Sequence, residues 1–163
     1  MKASHLIHST AVVLAACVLG CSTPSLVQGR YSYDRTTDFS EVKSFVFPEV
    51  EEGVFSTPES AAHFRTTLLR ALSAKGLTEN PEDPDFVILV PPVETYVEEY
   101  VWAGDIQLPM AMLRVSFRPP TESKNIYEAA AHVYGEVDWP QEDKNAAIEE
   151  AVKTILANFP PGT

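Results

Sequence analysis

The segment LRVSFR, Leu113 to Arg118, decides the fold class of this 163-residue chain. Leu113, Val115 and Phe117 alternate with polar residues, which is the pattern of a strand that is buried on one face and open to water on the other. Antiparallel sheets commonly have one such packed face and one solvated face. The segment therefore predicts a sheet whose apolar face must be covered by other elements of the chain.

Two amphipathic helices are predicted to supply this cover. Between residues 57 and 75, apolar residues recur every three or four positions, Ser56 and Glu59 fit a capping box, and Pro58 suits the first helical position. Gly76 stands where a helix would end. A second apolar stripe follows later in the chain and consists of Ile148, Ala151, Val152, Ile155, Leu156 and Phe159.

Further strands are predicted between the two helices. The apolar run FVILV, residues 86–90, is typical of a strand that is covered on both faces, and Pro91-Pro92 ends or bends it. Residues 93–102 favour a strand whose alternation breaks at Glu98-Glu99, which predicts a bulge or an edge strand. Residues 103–109 are expected to form a loop.

The order of these elements predicts the architecture. Strands come first, followed by a helix, about four strands and a second helix, and the last of the strands is predicted from Ile126 to Val137. Adjacent antiparallel strands with two amphipathic helices predict an α+β fold. We expect a two-layer sandwich, with a mainly antiparallel sheet and both helices packed on one of its faces, in a single domain over residues 31–163.

The N-terminal stretch predicts export and lipidation. Residues 1–20 join a positive charge to an apolar run of ten residues, which suits a signal peptide and is too short to span a bilayer. Small residues precede both Cys17 and Cys21, a pattern that resembles the bacterial lipobox, whose cysteine carries acyl chains such as palmitate. Cys21 is favoured because its apolar run is longer and a polar stretch follows it, with Cys17 as its rival. Residues 21–30 would then form a lipidated tether.

Charge and cysteine content limit the partners. With 12 basic and 23 acidic residues the net charge is −11, and such an acidic surface repels phosphate backbones, so no nucleic acid is expected. No cysteine follows Cys21, which excludes an intramolecular disulfide, a cysteine nucleophile and a thiolate metal site from the domain. The predicted location is the bacterial envelope, facing the periplasm. The outer membrane is favoured because Ser22, not an aspartate, follows the anchor.

The chain lacks the motifs that would predict catalysis. It has no Gly-x-Ser-x-Gly motif, phosphate-binding glycine loop or dinucleotide fingerprint, so no catalytic residue and no cofactor is predicted. His63 and His132 fall on different predicted elements, and no metal site is expected. Asp34, Asp38 and Glu41 lack the spacing of a calcium loop and favour turn capping.

An aromatic row is the candidate partner-binding site. Tyr96, Tyr100 and Trp102 share one parity on the suspected edge strand, and Tyr31 and Tyr33 are expected on another strand. Aromatic rows on an open sheet can hold a peptide, a glycan or a protein. The other interpretation is that these rings belong to the core.

Two carboxylates support a different class of function. Alternation places Glu94 and Glu98 on one face of the same strand and Glu99 on the other. Paired carboxylates facing a cleft can carry out acid–base hydrolysis. The alternative hypothesis is therefore a small cell-envelope hydrolase that uses these strand carboxylates.

An ordered series of short motifs runs through the chain after the lipobox. Its members are Tyr31-Ser32-Tyr33-Asp34, Asp38-Phe39-Ser40, Lys43-Ser44-Phe45, Ala74-Lys75-Gly76-Leu77, Asp83-Pro84-Asp85 and Asn158-Phe159-Pro160-Pro161. The series resembles the bacterial lipoproteins of domain-of-unknown-function family 4136 over about residues 31–161. The resemblance implies a periplasm-facing lipoprotein with an α+β domain and no established enzymatic activity. We therefore expect a non-enzymatic binding or scaffolding module, whose partners are the lipid bilayer, through the acylated cysteine, and an envelope protein or glycan.

Overall fold

The computed structural model describes residues 27–48, 54–100, 106–134 and 139–159; for residues 96–100, 106–110 and 134 it describes the backbone only. The predicted signal peptide, both cysteines and Trp102 lie outside the described residues. The elements are β1 (Val27–Tyr33), β2 (Ser44–Val46), α1 (Pro58–Ala74), β3 (Thr78–Glu79), β4 (Phe86–Leu89), β5 (Glu94–Tyr100), β6 (Ile106–Arg118), β7 (Tyr127–Tyr134) and α2 (Gln141–Leu156).

Strand β6 is the centre of the sheet. It pairs antiparallel with β7 on one side, and with β4 and β5 in succession on the other. Leu113, Val115 and Phe117 are each at most 4% exposed. The apolar half of the predicted alternation of LRVSFR is therefore confirmed, and Arg114 and Arg118 are partly exposed, whereas Ser116 is only 7% exposed and so is not open to water as predicted. The following strand β7 returns antiparallel to β6 as expected.

The prediction of a mainly antiparallel sheet is wrong, because the sheet is mixed. The order is β1-β7-β6-β4-β2-β3, with β5 paired to β6 beside this path. Strand β2 runs parallel to both β3 and β4. The physical reason is the crossover through α1, since this helical connection returns the chain in its original direction and makes β3 parallel to β2. Residues 80–85 then carry the chain past β2, so that β4 pairs parallel on its other side. The α+β class and the two helices are confirmed, whereas the two-layer sandwich stays a prediction.

Helix α1 begins and ends close to the predicted positions. Its N-cap is Thr57, not Ser56, because Thr57 Oγ1 accepts from the Ser60 amide at 3.1 Å. Pro58 occupies the first turn as predicted. Gly76 adopts a φ of 84°, and the Leu77 amide donates to the Leu72 carbonyl, a left-handed ending that favours glycine.

Helix α2 contacts β1, β7 and α1. Helix α2 approaches β1 closely at Gly29, which has no side chain. A Cβ at this position would lie 2.4 Å from Thr154 Cγ2, too close for the two groups to coexist without movement. After the helix, Phe159 contacts the rings of four core residues: Phe39, Phe86, Phe117 and Tyr127. The Tyr127 hydroxyl donates to the Ile155 carbonyl at 2.6 Å, and burial raises the pKa of this phenol well above its ordinary value.

Two local predictions need correction. Residues 106–109 belong to β6 and not to a loop. Pro109 is tolerated there because the described pairing of β6 with β7 ends at Met110, so no described β7 residue stands opposite the proline. The short strand β3 was not predicted, since two residues carry no periodic signal. Strand β1 begins at Val27, so the last residues of the predicted tether are part of the sheet.

Neither described helix has both the length and the apolarity to cross a membrane.

Candidate functional site

The predicted aromatic row lies on the hairpin formed by β5 and β6. Tyr96 pairs with Met110 and Tyr100 with Ile106, while Trp102 is outside the described residues. The pairing is continuous through Glu98 and Glu99, so the described ladder has no bulge at this point. Strand β5 pairs with β6 alone among the described strands, which confirms the predicted edge strand.

Register assigns this row to one face of the sheet. The β5 positions 94, 96, 98 and 100 stand opposite Met112, Met110, Leu108 and Ile106 of β6. Directly paired residues in an antiparallel sheet share a face, and the same parity continues along β6 to Arg114 and Ser116. We call the side of the sheet that carries Met112, Arg114 and Ser116 the polar face. The opposite side, with Leu113, Val115 and Phe117, is the covered face.

Arg114 is the centre of a charged row on the polar face. Its Nη2 lies 3.8 Å from Glu94 Oε1, and its Nε lies 3.9 Å from Glu128 Oε1. Asn125 Nδ2 donates to Glu128 Oε2 at 3.3 Å. Arg114 and both carboxylates are between 38% and 56% exposed, and such long, hydrated ion pairs are weak. The guanidinium can therefore turn toward a ligand at small energetic cost.

A groove of about 460 Å³ lies beside Arg114 on this face. Aliphatic and proline residues form most of its wall, and polar side chains contribute the rest: Phe47, Pro48, Ile88, Leu89, Val90, Pro91, Pro92, Arg114, Ser116, Asn125 and Glu128. Concave sites of this size with a few convergent polar groups are typical of ligand binding. The groove joins an apolar wall to a guanidinium, an amide and a carboxylate.

Pro91-Pro92 opens the groove by interrupting the ladder. Strand β4 last pairs with β6 at Leu89 opposite Ser116, and β5 resumes at Glu94 opposite Met112. Four residues thus face three, as in a β-bulge, and the two prolines have no N–H to donate. The amide that follows them, on Val93, donates to the Val54 carbonyl at 3.0 Å. The bend predicted at these prolines is confirmed.

A second groove, of about 280 Å³, adjoins the first and shares Asn125 and Glu128 with it. It reaches the end of β1, where Asp34 contacts Lys124. The Lys124 ammonium and, after it, the Thr36 amide lower the pKa of Asp34 to about 2. Asp34 is therefore a fixed negative charge at the end of this groove.

The other predicted polar residues have structural contacts. Asp34 and Asp38 each accept from an amide two residues later, which confirms the turn-capping interpretation. His63 Nε2 lies 3.3 Å from Glu149 Oε1, which links α1 to α2, and His132 stands on β7 opposite Met112. The described residues hold no group of three or more side chains suited to a metal. That the protein needs no metal stays a prediction.

Tyr31 and Tyr33 on β1 are the most exposed large apolar side chains in the described part of the chain, at 50% and 41%. Their rings are stacked, with centroids 6.5 Å apart and an angle of 8° between the ring planes. Tyr31 also stacks on buried Tyr127, and Tyr33 meets Phe39 edge-on. The pair is thus held in position by the core while both residues remain partly in solvent.

The sequence predicted that the aromatic and carboxylate rows lie on one edge strand, but it did not predict the groove. Its wall comes from segments around residues 47, 90, 115 and 126, which only the folded sheet brings together. Two signals pointed toward it: the Pro91-Pro92 bend and the polar parity of Arg114 and Ser116.

Comparison with known structures gives the fold. The chain is similar to a PDZ domain protein from Parabacteroides distasonis, with 12% identity and a TM-score of 0.60, over 85% of this chain and 37% of that chain. It therefore spans little more than a third of that protein. It is also similar to a PelC dodecamer from Paraburkholderia phytofirmans, with 12% identity and a TM-score of 0.53, over 81% of this chain and 96% of that chain.

A minor lipoprotein from Acinetobacter baumannii matches with 16% identity and a TM-score of 0.45, over 72% of this chain and 91% of that chain. No functionally curated protein is detectably similar in sequence. The profile of a domain of unknown function, DUF4136, matches residues 30–161, which is nearly the whole predicted domain. The chain belongs to the DUF4136 family.

Proposed function

We propose that this protein is a lipid-anchored, periplasm-facing lipoprotein of the bacterial envelope, with the outer membrane as its location. It acts as a non-enzymatic binding or scaffolding module. Cys21 carries the acyl chains, with Cys17 as the rival site, and residues 1–20 are removed as the signal peptide. The lipobox-like sequence and membership of the DUF4136 family support the anchor.

The partner binds along the polar face. The observation that carries this proposal is the shared register of positions 96 and 100 with Arg114, which makes the hairpin row continuous with the groove beside Pro91-Pro92. An extended peptide segment or a glycan chain could contact the aromatic positions and present polar groups to Arg114 and Glu128.

A scaffolding role also has support from the fold. The PelC structure is a dodecamer, so a chain with this topology can assemble with copies of itself. We include self-assembly among the forms that the scaffold can take. The partners are then the bilayer, an envelope protein or glycan, or further copies of this chain, and no nucleic acid takes part.

The first experiment identifies the partner and tests the site. The native lipoprotein is crosslinked in cells and purified, and the same is done with the Tyr100→Ala/Trp102→Ala variant. The matched control is Thr95→Ala/Gln107→Ala, on the same hairpin at the opposite register face. Loss of the crosslinked partner in the aromatic variant alone is the expected result. Equal recovery from all three proteins would refute the site.

The second experiment tests the groove. Arg114→Ala removes the guanidinium between Glu94 and Glu128. Arg118→Ala removes an arginine of the same parity, near the end of β6, and serves as its control. We expect weaker recovery of the partner with Arg114→Ala alone, and an equal effect of both variants would assign the loss to overall charge.

The anchor is tested separately by intact mass. A mature chain that begins at acylated Cys21 differs from one that begins at Cys17 by four residues. Cys21→Ser should abolish the acylated species if Cys21 is the site. An unmodified chain that retains residues 1–20 would contradict the anchor.

The alternative function, a small cell-envelope hydrolase, has its own test. Turnover of envelope glycans or peptides by the purified protein, lost in Glu94→Ala or Glu98→Ala, would favour it. Glu99→Ala, at the opposite register face, is the matched control.

A further inference from the structure

The proposed binding along the polar face does not involve the exposed tyrosines of β1. Tyr31 and Tyr33 share the parity of Gly29 and stand opposite Ala129 and Tyr127, so they belong to the covered face. Their stacked rings are held by the core, yet Tyr31 is 50% and Tyr33 41% exposed to solvent. Tyrosine, with an apolar ring and a polar hydroxyl, is enriched where proteins meet the membrane–water boundary.

Strand β1 is also an edge of the sheet in the described part of the chain, where its only partner strand is β7. Six of its seven residues, from Gln28 to Tyr33, are exposed. An open edge is a liability in solution because its unpaired N–H and C=O groups invite other strands. Against hydrated lipid headgroups, the same groups can stay bonded to water while the rings meet the acyl boundary.

The proposed anchor holds β1 near the bilayer. Only five residues, 22–26, separate Cys21 from Val27. An extended chain spans at most about 3.6 Å per residue, so β1 begins no more than about 22 Å from the acylated cysteine. Of the described elements, β1 therefore follows the anchor by the shortest length of chain.

Local charge favours an anionic surface at this place. Residues 21–37 contain Arg30 and Arg35 and a single acid, Asp34, whose carboxylate pairs with Lys124. All but one of the chain's 23 acidic residues lie outside this stretch. Arginines beside interfacial tyrosines match the phosphates of lipid headgroups, whereas most of the remaining surface would be repelled by them.

We propose that the β1 edge lies on the bilayer that holds the anchor, with Tyr31 and Tyr33 at headgroup level and Arg30 and Arg35 beside lipid phosphates. This inference rests on the proposed lipid anchor and adds the orientation of the domain. The groove beside Pro91-Pro92 has no lining residue from β1 and stays accessible to a periplasmic partner, whereas the smaller groove at Asp34, lined in part by Tyr33 and Arg35, would lie at the bilayer.

The experiment measures lipid contact in the full-length acylated protein. The protein is reconstituted in vesicles of phosphatidylethanolamine and phosphatidylglycerol, with or without lipids brominated on the acyl chains. Tyr31→Trp introduces an indole on β1, Tyr33→Trp repeats the test one ring away, and Arg70→Trp, exposed on α1, is the control. Emission of the unsubstituted protein, which has two tryptophans, is subtracted.

Bromine should reduce the emission of the indole on β1 by about twofold or more, as expected for an interfacial ring, and leave the α1 control unchanged. Flotation of the vesicles separates the two proposals. If the protein floats but neither β1 indole is quenched, the inference is refuted and the anchor stands. If the acylated protein does not form and nothing floats, both fail. Crosslinking between Ser32→Cys copies, with no quenching, would replace the bilayer by a second copy on this edge.

Discussion

The two faces of β6 differ in what their side chains do, although the residues alternate along one strand. On the covered face, Phe117 is fully buried, and the centroid of its ring lies 4.7 Å from the ring centroids of both Phe86 and Phe159. On the polar face, Arg114 forms long contacts with the exposed carboxylates of Glu94 and Glu128, at 3.8 and 3.9 Å, and its Nη2 lies 3.9 Å from Met112 Sδ. The comparison teaches that a single strand can place tightly packed and loosely held side chains at alternate positions, so that core packing and the proposed binding depend on different faces. Substitutions on the covered face should destabilise the protein, whereas Arg114→Ala on the polar face should weaken the proposed binding.

Phe117→Ala should have the largest effect on stability. It removes a ring packed among Phe86, Tyr127 and Phe159 and leaves a cavity, which costs about 3–5 kcal/mol. Urea unfolding followed by circular dichroism measures the loss. The neighbouring Ser116→Ala, on the polar face, should cost about 1 kcal/mol or less. Equal losses from the two variants would remove the distinction between the faces.

Gly29→Ala should have the next largest effect, on the covered face at the sheet edge. The added methyl would lie 2.4 Å from Thr154 Cγ2, and overpacking of this kind costs about 1–3 kcal/mol. The double variant Gly29→Ala/Thr154→Ala removes the clashing methyl group and should recover most of the loss. A double-mutant cycle of thermal unfolding measures this coupling. Additive effects would show that the contact between α2 and β1 is not the cause.

Asp85 belongs to neither face of β6, and its substitution tests a contact between two other strands. Its Oδ2 accepts from the amides of Lys43 and Ser44 at 2.9 and 2.7 Å and ties the start of β4 to β2. Asp85→Ala should cost about 1–2 kcal/mol at pH 7, because hydrogen bonds to a charged acceptor in an exposed position are lost.

The pH dependence of this loss follows from the direction of the pKa shift. The Lys43 amide, joined by the Ser44 hydroxyl and amide, lowers the pKa of Asp85 below its ordinary value of 3.8. Asp85 therefore stabilises the fold fully above that ordinary value, and its contribution disappears as pH falls through the lowered pKa. The stability difference between wild type and Asp85→Ala should be constant near neutral pH and shrink in acid. A difference that grows in acid would contradict this assignment.

Arg114→Ala should have the smallest effect on stability. Its two ion pairs are exposed, and such pairs contribute about 0–1 kcal/mol. The variant should keep the unfolding midpoint in urea while it loses the partner in the pull-down. A loss of several kcal/mol would mean that the polar face also stabilises the fold. The two faces would then differ only in how much each contributes to stability.

Local patterns predicted a large part of the fold. The alternation of LRVSFR located the central strand, and the apolar stripes located both helices, because side-chain period follows directly from local backbone geometry. Pro58 and Gly76 were correctly placed since their preferences are intrinsic to the residue. The errors fell on features without such a signal, namely a two-residue strand and the strand positions around Pro109.

The candidate site was less predictable. Parity correctly grouped positions 94, 96, 98 and 100, yet it could not assign them to a face, because that requires the register between β5 and β6. The side chains at 96 and 100, and Trp102, lie outside the described residues, so their role stays a prediction. The groove needed Pro48, Leu89, Arg114 and Asn125 together, and these positions are distant in sequence.

The sequence by itself determined the α+β class, the two helices, the half-buried central strand and the family, since each depends on local periodicity or on the order of short motifs. Only the tertiary structure decided that β2 is parallel to its neighbours, that Pro91-Pro92 opens a groove beside Arg114, and that Tyr31 and Tyr33 stand on an edge strand of the described sheet. These features depend on which strands meet and in what register. Long-range pairing of that kind is set by packing of the whole chain, not by the properties of any one segment.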